Sequence, residues 1–115
     1  MTSGPQSGAD KRGQPRRRTL LRGRIFYGPA HAMSFDCVIR DISGSGAKLR
    51  ASATQAMPER FTLLNIPEGV AFETRLAWRR GEDVGVRFVS RHDLKDSTEE
   101  AYRALRRVWL ALAPS

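Results

Sequence analysis

The side chains with the greatest chemical reach in this sequence are arginines. Lys11, Arg12, Arg16, Arg17, Arg18, Arg22 and Arg24 crowd the first 24 residues, opposed there by Asp10 alone. A basic field concentrated on one arm attracts a nucleic acid, an acidic membrane surface or a small phosphorylated ligand. Arginine rather than lysine favours the small or planar target, because guanidinium grips phosphate through two parallel bonds and stacks on flat rings. A second polar group, Asp41-Ile42-Ser43-Gly44-Ser45-Gly46, follows an apolar stretch. Each group also has a plain structural reading. A basic arm solubilises, and an Asp/Ser/Gly turn satisfies its own amides while glycine supplies a positive φ.

Nothing else carries the marks of catalysis or of a metal site. His31 stands in a Gly-Pro loop and His92 before a helical stretch, neither with a second histidine or a cysteine at ligand spacing, and both read as surface residues. Asp93 with Asp96, and Glu99 with Glu100, are explained at a helix N-terminus by the macrodipole. We expect no enzyme, no metal and no cofactor. Cys37 is the single cysteine of 115 residues, so packing alone holds the fold and a reducing cytoplasm suits it. No apolar run approaches the roughly 18 to 20 residues of a membrane span, and no hydrophobic leader opens the chain.

The length allows one compact domain plus a tail. Residues 1–10 contain only Gly, Ser, Pro and other weakly packing side chains besides the initiating Met, and are expected to be disordered. Residues 11–90 are expected to form a barrel preceded by a flexible basic arm, and 91–115 a helix on or beside it. Apolar stretches at 20–27, 34–42, 47–51, 61–66, 70–78 and 84–90 read as six strands separated by glycine- and proline-marked turns, the pattern of a mainly β, antiparallel barrel. In 34–42, Phe35, Cys37 and Ile39 share one parity and Val38 and Ile42 the other. Residues 70–78 alternate most cleanly, predicting one core face and one wet face. Trp78 on that strand either fills the core or stacks on a ligand. Ser97 with Glu100 reads as a capping box, and Ala101, Tyr102, Leu105, Val108, Trp109 and Leu112 fall at helical spacing.

An Arg-x-x-x-Arg spacing ahead of the first strand, then Asp41, Ser43 and Gly46 in an Asp-x-Ser-x-x-Gly pattern after the second, resembles the PilZ domain family. Leu76-Ala77-Trp78 and Val84-Gly85-Val86-Arg87-Phe88 are similar to its closing hairpin, so the resemblance spans about residues 11–90. The arginine pattern fits twice, as Arg12 with Arg16 and as Arg18 with Arg22. The first is preferred because Leu20, Leu21 and Ile25 look like the strand itself, whereas the family's arginines lie on the approach to it.

The resemblance implies a six-stranded barrel that binds the second messenger cyclic di-GMP and signals by changing shape to a protein partner. The implied ligand contacts are Arg12, Arg16, Arg17, Asp41, Ser43 and Gly46, with Arg18, Arg22 and Trp78 as further candidates. The chemistry agrees: guanidinium pairs with phosphate and with the guanine O6/N7 edge, a carboxylate accepts from guanine N1 and N2, and glycine admits a flat base. Two other readings stay open. One is a basic nucleic-acid-binding module, disfavoured because the strands show no series of stacking aromatics. The other is a degenerate adaptor that binds protein but no nucleotide.

Overall fold

The computed structural model describes residues 17–96 and 99–113. Six strands form: β1 (Arg17–Tyr27), β2 (Met33–Ile42), β3 (Gly46–Arg50), β4 (Arg60–Asn65), β5 (Val70–Arg80) and β6 (Asp83–Asp93), followed by helix α1 (Glu100–Leu112). All neighbours pair antiparallel in the order β1-β2-β3-β6-β5-β4, and β4 returns to β1 to close the barrel. The closing seam is short, Gly23–Phe26 against Thr62–Asn65, whereas β1 follows β2 along most of its length. Residues 1–10 and the arm 11–16, read above as disordered and flexible, lie outside the described residues.

Alternation fills the barrel with Ile25, Ile39, Leu49, Leu63 and Val84, none of which retains exposed surface. One residue of slip moves a strand's next side chain to the opposite face, and such shifts separate Arg18 from Leu21 in β1 and Ile39 from Asp41 in β2. Ile42 therefore joins Ile39 in the core while Val38, which shares its parity in the sequence, is exposed. The two-face expectation for 70–78 needs a similar correction. Val70 and Phe72 face the core, but Ala71 on the outer face is also fully buried, because α1 covers it together with Phe26, Leu64, Ile66 and Leu94.

Helix α1 packs through Tyr102 and Leu105, with Trp109 and Leu112 half-buried beyond them. Val108 of the anticipated stripe faces outward instead. The helix begins at Glu100 with Glu99 as its extended cap and no side-chain cap bond; the anticipated cap Ser97 lies outside the described residues. Polar contacts fix the helix at several points. Tyr102 Oη donates to Glu73 Oε2 at 2.6 Å, Trp109 Nε1 donates to the Ile66 carbonyl at 2.7 Å, and Arg22 reaches the Leu112 carbonyl at 3.5 Å. The Trp109 indole lies directly against Gly69, whose φ of +66° also favours glycine. Among the described residues, no helix is long and apolar enough to cross a membrane.

Candidate functional site

One outward row crosses five strands. Arg18 on β1 pairs with Asp41 on β2, Asp41 with Lys48 on β3, Lys48 with Gly85 on β6, and Gly85 with Trp78 on β5. Residues directly opposite in antiparallel strands stand on the same face with Cβ atoms about 5 Å apart, so register alone gathers these side chains. Ala47 and Leu49 are buried, which turns Lys48 outward between them.

Two open recesses lie along the row and share Lys48. The larger, about 700 Å³, is bordered by Arg18, Thr19, Leu20, Arg40, Asp41, Lys48, Arg50 and Asp83. The smaller, about 510 Å³, runs from Ser43, Ser45 and Gly46 across Lys48 to Trp78, Gly85 and Arg87. Arg50 is committed to Glu82 at 3.0 Å and Asp83 at 3.7 Å. Arg18, Arg40, Lys48 and Asp41 make no ion pair among the described residues. Around the larger recess three uncommitted cations thus face one uncommitted carboxylate, leaving a local excess of two positive charges there.

The β2–β3 turn is held from within. Ser43 N–H donates to the Gly46 carbonyl at 2.9 Å, Ser43 Oγ donates to the same oxygen at 3.3 Å, and Ser45 N–H donates to Ser43 Oγ at 3.3 Å. Gly46 is required for a reason other than the expected one. Neither Gly44 nor Gly46 takes a positive φ; a Cβ on Gly46 would run into the Val86 carbonyl of β6. Gly85 is needed similarly, because the Trp78 indole rests where its Cβ would stand. Trp78 is 46% exposed, so the core alternative for it is set aside in favour of a surface aromatic flooring the smaller recess.

Of the sequence-derived candidates, the fold brings Arg18, Asp41, Ser43, Gly46 and Trp78 to one wall. Arg22 is not among them: it points to the C-terminal carbonyls of α1, where a cation opposes the negative end of the helix dipole. Arg17 opens β1 with its Cα opposite Ile42, and Arg12 and Arg16 lie outside the described residues. Arg40, Lys48 and Gly85 escaped the sequence reading. Lys48 was legible as the outward residue of Ala47-Lys48-Leu49, but the bulge that brings Arg40 to the recess leaves no mark in composition.

The remaining polar clusters are of a different kind. His31 contacts Thr62 Oγ1 at 3.2 Å, and His92 stacks on the Tyr102 ring, so both histidines are half-buried packing partners rather than free surface groups. Burial and the Glu73 hydrogen bond push the Tyr102 phenol upward. Burial, with a contribution from Asp36, pushes the Cys37 thiol up to about 12. Among the described residues, no three His, Cys, Asp or Glu side chains stand close enough to hold a metal ion.

A closed six-stranded antiparallel barrel with a helix across its seam and a charged, open recess on its wall defines a small β-barrel binding domain. Its family is the PilZ domain, whose family model matches residues 10–105, and the chain belongs to it. That family comprises non-catalytic receptors that typically bind cyclic di-GMP. Comparison with curated proteins finds no matching relative.

Proposed function

We propose that this chain is a cyclic di-GMP receptor that holds its ligand along the Arg18–Trp78 row and passes occupancy to a protein partner. The observation that carries this reading is the unpaired charge in the larger recess. Arg18, Arg40 and Lys48 against Asp41 leave an excess of two positive charges, which matches the two phosphodiester charges of the ligand. Guanidinium and ammonium groups neutralise the phosphates, Asp41 accepts from a guanine N1–H and N2–H, and the Trp78 face stacks on a base. Ser43 and Gly46 shape the turn beside that base. Arg12 and Arg16 from the arm and Arg17 at the start of β1 add guanidinium groups for the phosphates, and a change of shape on binding passes occupancy to the partner. A single buried, unpaired cysteine suits a cytoplasmic site of action.

Calorimetric titration with cyclic di-GMP, with GTP, GMP and a short DNA duplex as controls at the same salt, tests the reading. Saturable binding of cyclic di-GMP, weakened in Arg16→Ala and Asp41→Ala variants that remain folded, is the expected result. Normal affinity in both variants refutes the site. Duplex binding that falls by orders of magnitude over a modest rise in salt, with no response to cyclic di-GMP, identifies a nucleic-acid module instead.

A further inference from the structure

A second outward row runs beside the recesses and is not explained by them. Gly46 on β3 pairs with Arg87 on β6, Arg87 with Arg75 on β5, and Arg75 with Arg60 on β4. All three arginines are exposed, and none has a hydrogen bond or ion pair among the described residues. Strands about 4.8 Å apart place the three Cα positions within about 10 Å. Like charges directly opposite on neighbouring strands destabilise a sheet, so the row carries a folding cost, and no carboxylate among the described residues pairs with it.

We infer that the Arg60–Arg75–Arg87 row is a docking surface for an acidic segment of a protein partner. Charge complementarity selects the occupant. Three guanidinium forks grip two or three carboxylates bidentately, and carboxylates three or four residues apart on a helix lie about 6 Å from one another, close to the pitch of the row. A polynucleotide fits less well. The row is only three side chains wide and ends with Arg60 on the last strand before the seam, so it offers no continuous track for a phosphate backbone. In the neighbouring row of the same face Thr62 is buried and the Glu73 carboxylate accepts from Thr62 and Tyr102, so no cation continues the track there. Only Arg87 also borders a recess, so bound cyclic di-GMP and the acidic segment meet at that residue and weaken each other's binding. This coupling rests on the function proposed above; the docking surface itself does not.

Fluorescence anisotropy of a labelled poly-glutamate peptide titrated with the full chain tests the surface, with an oligo-dT strand of matched charge alongside. The double variant Arg60→Gln/Arg75→Gln should lose about tenfold in peptide affinity, keep its cyclic di-GMP affinity, and melt no lower than the parent because a repulsion has been relieved. Arg60→Lys/Arg75→Lys should retain most of the peptide binding. Peptide affinity within twofold of the parent in the glutamine variant overturns the inference, as does oligo-dT binding that exceeds peptide binding and depends on the same two residues. Peptide binding that needs the row while cyclic di-GMP fails to bind refutes the receptor reading and leaves the docking surface standing.

Discussion

Reversing the charge at Lys48 is the sharpest perturbation of the proposed ligand site, because this side chain borders both recesses. In the larger recess Lys48→Glu removes one of three uncommitted cations and doubles the uncommitted carboxylates, taking the local excess from two positive charges to none. The recesses are open to solvent, so a dielectric near that of water applies. A change of two charge units about 5 Å from one phosphate costs about 1.7 kcal/mol, and the second phosphate, about 10 Å away and screened, adds a few tenths. A loss of about 2 kcal/mol is about 30-fold in Kd. Lys48→Met, which removes one unit and keeps the aliphatic stem, should lose about half of that free energy, about fivefold in Kd. Calorimetry with cyclic di-GMP reads both, and raising the salt should narrow the gap between them. If Lys48→Glu binds within twofold of the parent, the ligand does not lie across Lys48 and the charge-matching argument fails.

Other expectations rest on the fold. Gly69→Ala forces a Cβ into the Trp109 indole at a positive φ, so it should destabilise by about 1–3 kcal/mol in urea melts; an unchanged midpoint would mean that the helix does not seat there. The Asn65 side-chain amide is fully buried, and neither its oxygen nor its nitrogen has a partner among the described residues. Asn65→Leu should therefore stabilise by about 1–3 kcal/mol, and destabilisation would show the amide to be satisfied by an internal water. The folded Cys37 thiol is raised from 9.0 to about 12. Its contribution to stability is complete below about pH 9 and fades as pH climbs toward 12, by at most about 1.4 kcal/mol per unit. Cys37→Ala should flatten that part of the alkaline unfolding curve, and an identical curve would remove the thiol from the account. Tyr102 is raised for the same reason of burial and contributes a loss of the same sign that begins above about pH 10.

Most strands were legible because alternation and turn residues coincide. Gly28-Pro29, Pro67-Glu68-Gly69 and Gly81-Glu82-Asp83 each stand where the backbone reverses, and Ala47 to Arg50 alternates as a half-buried strand must. What stayed hidden was set by distant parts of the chain. Ala71 reads as a wet-face residue until α1 is laid over it. Ile42 reads as out of phase until a bulge at Arg40 brings it inside. At the site, Asp41, Ser43 and Gly46 could be singled out because they are contiguous, but Trp78 could not be assigned to core or surface from its own strand. Its position follows from Gly85 opposite, which leaves room on the outer face for an indole. Lys48 joined the site only through a register that no local window contains.

The short seam between β1 and β4 gives α1 a task beyond filling an apolar face. Four residue pairs close the ring there, and Phe26, Leu64 and Ile66, from the two strands that meet and the turn after β4, lie under the helix, while Arg22 ties β1 to its last turn. A barrel stays free of unpaired strand edges only while its seam is shut, and an open seam bares two adhesive edges to any neighbouring chain. The helix thus works as a latch against self-association: shortening the chain before Tyr102 should first be seen in concentration-dependent aggregation, with strand content largely kept.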